Sequence, residues 1–323
     1  MENIIPILIL TGPTAVGKTD LSIKLAKSLH GEIISADSMQ IYKYMDIGSA
    51  KVRPEEMDGV VHHMIDIIEP DEDFSVSDFQ NATKSIIEDI YSRGKLPIIT
   101  VGTGLYLNSI IFNMDFGQSQ ADPSIRKELE DILKEKGSDY LYSMLEDISP
   151  QTARRIHKNN SKRLIRAIEV YKSGGQLGDF SSDLTLNENY QAHIIILNRD
   201  RDHLYDRINN RVDLMFEQGL LDEVEALHKM GYTKEITSMQ GIGYKEIIDY
   251  FEGLISLEDA KASIKQSSRR YAKRQITWFK RYPKALWLDI DKVKSIDDQL
   301  KIIRKFMASQ GILSMEYIGI DFL

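Results

Sequence analysis

Gly12-Pro13-Thr14-Ala15-Val16-Gly17-Lys18-Thr19 matches the phosphate-binding loop pattern in full, and it directly follows the apolar run Ile4-Ile5-Pro6-Ile7-Leu8-Ile9-Leu10. Such a loop needs a strand to deliver it and a helix to leave it. Leu21, Leu25, Ala26 and Leu29 supply helical spacing on the far side. The glycines let backbone N–H groups turn inward around a polyphosphate, and the helix N-terminus adds positive potential. Lys18 is placed to reach the outer phosphates, and Thr19 offers a hydroxyl to Mg²⁺.

Outward from this loop, apolar strand candidates fall at 4–10, 32–36, 97–101, 193–197 and 285–288, with helical stretches between them. That alternation predicts an α/β fold of the P-loop NTPase type, a parallel sheet with helices on both faces. From about Asn113 to Asn189 strand character is lost, and residues 114–189 read as a mostly helical insertion between core segments 1–113 and 190–323. Asp122-Pro123-Ser124 and Ser149-Pro150-Gln151 look like helix starts, the second helix carrying Ile156, Leu164, Ile168 and Val170 up to Gly174-Gly175. Amphipathic helices are expected over 203–230 and 257–279, and a terminal helix between Asp291 and Leu323.

At 323 residues, with 42% hydrophobic and 28% charged residues, the chain has the composition of ordinary folded domains. No apolar run approaches the ~20 residues of a membrane span, and no export signal is evident, so a cytoplasmic protein without membrane contact is expected. The absence of cysteine rules out disulfides, thiolate metal sites and cysteine nucleophiles.

The net charge of −8 argues against a polyanionic partner, but its distribution does not. Nine Lys and Arg residues and no acid lie between Lys261 and Lys284. A second basic stretch holds Arg154, Arg155, Lys158, Lys162, Arg163, Arg166 and Lys172, with Glu169 its only acid. Local positive surface of this kind suits phosphate backbones, although solvated helix faces have the same composition.

Four further segments carry a resemblance. They are Ser35-Ala36-Asp37-Ser38-Met39-Gln40-Ile41-Tyr42, Gly102-Thr103-Gly104-Leu105-Tyr106, Gln240-Gly241-Ile242-Gly243-Tyr244-Lys245-Glu246 and Arg274-Gln275-Ile276-Thr277-Trp278-Phe279. Together with 12–19, and in this order, they resemble the bacterial type of the tRNA dimethylallyltransferases, also called tRNA isopentenyltransferases. The resemblance implies transfer of a dimethylallyl group from dimethylallyl diphosphate to the exocyclic amine of the adenosine 3′ of the anticodon.

It further implies that Gly12, Pro13, Thr14, Ala15, Val16, Gly17, Lys18 and Thr19 hold the diphosphate with Mg²⁺ on Thr19, and that Arg211, rather than Arg207, joins them. The residues themselves leave Arg211 equally open to an intrahelical pair with Asp206, Asp213 or Glu217. Asp37 is implied as the base. Ser38, Met39, Gln40 and Thr103 are implied neighbours of the adenine. Arg126, Lys162, Arg163 and Arg166 in the insertion, and Arg270, Lys273 and Arg274 in the last long helix, are implied contacts to the tRNA anticodon stem-loop. A monomer is expected.

The chain departs from the pattern at Val52, Val101 and Gly241, none of which is expected to touch a chemical group. Trp278 and Phe279 are expected in the core, and His62-His63 to be structural. Two other readings suit the phosphate loop: an ATP-binding small-molecule or nucleotide kinase, and a nucleotide-gated RNA-binding module without chemistry.

Overall fold

The computed structural model describes residues 4–114, 116, 123–175 and 185–311. The chain divides into two compact units, one made of Met1–Ile111 with Leu186–Leu323 and the other of Phe112–Thr185.

The first unit is built on a parallel sheet of β1 (Ile5–Thr11), β2 (Gly31–Ala36), β3 (His62–His63), β4 (Leu96–Val101), β5 (Tyr190–Asn198) and β6 (Leu286–Asp289). The spatial order is β3-β2-β4-β1-β5-β6. β1 sits between β4 and β5, with Ile9 paired to Ile99 on one side and Ile194 on the other. A strand enclosed by neighbours and covered on both faces should be apolar throughout. Ile7 to Leu10 are accordingly all at 0% exposure. Helices α1 (Lys18–Ser28), α2 (Val76–Ser92) and α3 (Gly104–Ile111) alternate with the first strands. After β5 come α7 (Arg201–Glu217), α8 (Leu220–Lys229), α9 (Tyr244–Phe251), α10 (Leu257–Phe279) and, after β6, α11 (Ile296–Ser309).

The second unit contains α4 (Pro123–Ile148), α5 (Pro150–Arg155) and α6 (Ser161–Lys172) around a core of Leu129, Leu141, Leu145, Leu164, Ile165 and Ile168. The Ser149 hydroxyl accepts from Thr152 N and caps α5, as its Ser-Pro start requires.

Two expectations need correction, and the structure adds a short strand and a helix break that the sequence reading does not include. β3 was not foreseen, because a two-residue strand carries no periodicity; His63 Nε2 meets Glu32 at 2.8 Å, and Glu32 also holds Arg93 and Lys95. The helix expected across 150–172 is two, because Ile156 leaves the helical conformation and Asn160 starts a new cap for Arg163 N. The helix expected over 203–230 breaks at Gly219, whose φ is 99°. The helix beginning at Pro123 is interrupted at Gly137. In the terminal stretch, α11 buries Ile303 and Met307 in the main core; residues 312–323 lie outside the described residues, as does Asp122.

Candidate active site

The phosphate loop leaves the carboxyl end of β1, where Thr11 Oγ1 donates to Val101 O at 2.8 Å and ties the ends of β1 and β4 together. Gly12 has φ 149°, and a Cβ there would lie 2.6 Å from Leu197 O of β5. Gly17 opens α1 at φ 110° with no side chain capping the first turn. Glycine is the residue that tolerates both conditions. The uncapped N–H groups of α1 are thereby left to an anion. Lys18 Nζ donates to Gly12 O at 2.9 Å and Pro13 O at 3.0 Å, folding back over the loop. Burial lowers its pKa to about 8, with Asp37 opposing that shift and Arg211 adding to it.

Three side chains from distant segments pin the loop from outside. Gln275 of α10 accepts from Thr14 N at 2.9 Å and donates through Nε2 to Gly102 O at 2.8 Å, so one buried amide joins the phosphate loop to the turn after β4. Arg207 Nε donates to Ala15 O at 2.9 Å. Arg199 Nε donates to Val16 O at 3.2 Å while its guanidinium pairs with Asp291 at 2.5 Å. Holding the carbonyls outward keeps the opposed N–H groups turned in, which is what a phosphate cradle needs. Arg207 therefore braces the loop. Arg211, one turn further along α7, lines the open cavity and forms no ion pair among the described residues; Asp213, one of its alternative partners, is taken by Lys265 at 2.6 Å.

Asp37 follows β2 directly. Its Oδ1 accepts from Met39 N at 2.9 Å, a local turn that fixes the carboxylate, while Oδ2 points toward the Gly102 side. Two cavities meet at this residue. The smaller, about 60 Å³, is lined by Lys18, Thr19, Ser22, Ser35, Gln40, Thr100 and His62. The larger, about 390 Å³, has Thr14, Ala15, Ser38, Met39, Arg211, Tyr271 and Arg274 on its polar side and Ile208, Val212, Met215, Leu220 and Ile264 as an apolar wall. That volume lies within the usual range for small-molecule sites, roughly 300–1,000 Å³. Burial and the nearby Asp37 push the Tyr271 phenol up to about 12, and Thr103 and Gln275 stand against its hydroxyl.

The site residues expected from sequence are thus divided. Thr14, Ala15, Lys18, Thr19, Asp37, Ser38, Met39, Arg211 and Arg274 face the two cavities. Val16 is packed in the core instead. Gln40 lines the smaller cavity, with its amide spent on Ser35 Oγ and the Ser49 and Ala50 carbonyls, so it holds that loop. Arg270 and Lys273 are exposed on α10 without an ion pair among the described residues. Arg126, Lys162, Arg163 and Arg166 belong to the second unit. Two departures from the family pattern do reach the site: Val52 lines the smaller cavity, and a Cβ at Gly241 would lie 2.6 Å from Met39 Cε. Phe279 is fully buried, while Trp278 is half-buried and packs on Gly104, where a Cβ would lie 2.2 Å from its Nε1.

Sequence reasoning missed Glu223, the first-turn acid of α8. Its Oε2 accepts from Asp46 N and Ile47 N, and its Oε1 from Gly48 N and the Tyr244 hydroxyl. This clamps the segment whose continuation, Gly48–Ala50, walls the larger cavity. Arg199 was missed as well; neither residue has a local pattern around it.

No group of three His, Asp or Glu side chains among the described residues could hold a metal ion alone. Thr19 beside Lys18 and Asp37 suits an ion that arrives with substrate oxygens and water completing its shell, which is how Mg²⁺ is commonly bound.

A parallel α/β sheet whose first loop presents uncapped N–H groups and a lysine to a cavity shared, among the described residues, with one carboxylate defines a P-loop-type protein. The chain belongs to the IPP transferase family: that family model matches residues 40–282, and the Isopentenyl transferase model matches residues 5–72. The tRNA dimethylallyltransferase of Clostridioides difficile (strain 630) is 60% identical over 91% of this chain and 94% of its own length. Among solved structures, the tRNA isopentenylpyrophosphate transferase of Bacillus halodurans is 44% identical with a TM-score of 0.70, covering 95% of this chain and 98% of that one. A eukaryotic dimethylallyltransferase acting on tRNA is 28% identical with a TM-score of 0.77, covering 96% and 81%. No helix among the described residues is long and apolar enough to cross a membrane.

Proposed function

We propose that this transferase moves a dimethylallyl group from dimethylallyl diphosphate to the exocyclic amine of the adenosine 3′ of the anticodon in tRNA, releasing pyrophosphate. The observation that carries the reading is the single carboxylate, Asp37, standing where the phosphate-loop cavity meets the larger half-apolar one. Family membership favours prenyl transfer over the kinase and non-catalytic readings.

The chemistry asks for two things: charge neutralisation on the departing pyrophosphate, and a base for a weakly nucleophilic amine. The amine nitrogen forms a bond to the allylic carbon, and the carbon–oxygen bond breaks with its electron pair going to pyrophosphate. The α1 N-terminus, Lys18 and Arg211 receive that charge, and Asp37 takes the amine proton. Thr19 would hold Mg²⁺, which would supply further neutralisation when bound. The apolar wall of Ile208, Val212, Met215 and Ile264 suits the five-carbon chain, while Ser38, Met39 and Tyr271 border the base.

A stacked anticodon base cannot reach such a site, so the target adenosine is extruded into it. Arg126, Lys162, Arg163, Arg166, Arg270, Lys273 and Arg274 then hold the anticodon stem-loop. The protein acts in the cytoplasm, as a monomer. Asp37→Ala tests the division of labour: turnover falls about a hundredfold or more, the scale of a lost general base, while diphosphate affinity holds. Equal loss of both would assign Asp37 to substrate binding or folding.

A further inference from the structure

The one acid in the second unit's basic stretch is also one of the most buried. Glu169 on α6 is at 0% exposure. Its Oε2 accepts from Arg126 Nη2 of α4 at 2.9 Å and from Arg166 Nη1 at 3.1 Å. Oε1 is buried with no hydrogen-bond partner. The two arginine side chains are only partly covered, at 46% and 39% exposure.

As a device for stability this is a poor arrangement. A buried carboxylate with one unsatisfied oxygen carries a desolvation penalty that an apolar side chain of similar size would avoid. What the carboxylate does achieve is geometric. Two like charges that would otherwise repel share one oxygen, so their donor nitrogens lie within about 6 Å of each other, the limit set by the two bond lengths. Each guanidinium has further N–H donors beyond the one given to Glu169. Lys162 and Arg163, exposed on the same helix, form no ion pair among the described residues and extend the positive surface.

We propose that Glu169 is a positioning residue for RNA binding, its buried carboxylate locking Arg126 and Arg166 side by side as a two-guanidinium clamp for one backbone phosphate of the tRNA. The inference rests on the reading that the second unit grips tRNA. Phosphate oxygens suit a guanidinium fork, and a fork held in place beforehand loses less side-chain freedom on binding.

Glu169→Met tests it, because charge and positioning predict opposite signs. Removing a negative charge from a nucleic-acid surface should tighten tRNA binding if net charge alone matters. If positioning matters, tRNA Kd and KM rise fivefold or more, kcat at saturating tRNA and the KM for dimethylallyl diphosphate hold, and the slope of log affinity against log salt becomes shallower by about one contact. Unchanged or tighter tRNA binding by a folded Glu169→Met protein would overturn the proposal. Should that variant not fold, the double variant Arg126→Lys with Arg166→Lys decides. It keeps both charges and their carboxylate but loses the forks, and wild-type tRNA affinity would again overturn the proposal. Wild-type protein that does not bind tRNA at all would refute the function instead, which separates the two failures.

Discussion

Replacing Glu223 by Gln should loosen one wall of the larger cavity without touching a reacting group. The carboxylate serves four donors: Asp46 N and Ile47 N on one oxygen at 2.9 and 2.7 Å, Gly48 N and the Tyr244 hydroxyl on the other at 3.0 and 2.8 Å. In the best arrangement a glutamine keeps its carbonyl on the first pair and turns its amide toward Tyr244, whose hydroxyl can rotate to accept. Gly48 N–H then faces another donor and is left unsatisfied, and the two bonds that remain lose their ionic partner. An unsatisfied half-buried donor costs about 1–3 kcal/mol, and the weakening of two charge-assisted bonds brings the total to about 2–3 kcal/mol. Because the segment can open locally, the effect belongs in its own amides. Hydrogen exchange at 46–48 should accelerate about 30-fold or more, since 1.4 kcal/mol is a factor of ten, and the KM values of both substrates should rise. Tyr244→Phe removes one bond to the carboxylate but leaves its three backbone partners, and should give an effect of the same kind of about 1.5 kcal/mol. Exchange at 46–48 within twofold of wild type would refute the clamp.

Gln275→Leu removes the buried amide between Thr14 N and Gly102 O, so the phosphate loop loses an anchor. The expected result is at least a tenfold rise in the KM for dimethylallyl diphosphate, read from steady-state kinetics; an unchanged KM would show that Arg199 and Arg207 suffice. His193 in β5 is 4% exposed, and burial lowers its pKa to about 4. The unfolded chain binds this proton below about 6.5 and the folded one only below about 4, so stability rises with pH across that window. Between those limits the group accounts for about 3 kcal/mol lost on acidification. Denaturant titrations from pH 7 to 4 should show a slope that His193→Gln reduces without abolishing, since His62 and paired carboxylates such as Glu32 also titrate low in the folded chain, and an equal slope in that variant would assign it wholly to those other groups.

The phosphate loop was legible because all its information is local: a strand, eight residues and a helix in immediate succession. The five longer strands were legible from apolar runs, whereas His62–His63 pairs with β2 over two residues and leaves no periodic trace. Gly219 and Ile156 end helices within stretches whose apolar spacing continues, so pattern alone joined what the backbone separates. Arg199, Arg207, Glu223 and Gln275 reach their partners in the phosphate loop and the 46–48 segment across 175 to 261 positions. Single acids and amides with such partners carry no motif of their own; Gln275 entered only through the family-like segment around it. The same distance effect explains Gly241, unremarkable in its own turn but packed on the Met39 methyl at the cavity wall.

The central claim is tested most directly by incubating the protein with unmodified bacterial tRNA, Mg²⁺ and dimethylallyl diphosphate and reading the nucleosides by mass spectrometry. The account predicts adenosine heavier by one dimethylallyl unit, located 3′ of the anticodon and absent with Asp37→Ala. Unmodified adenosine from protein shown to bind the diphosphate, or full product from the Asp37→Ala protein, would contradict it.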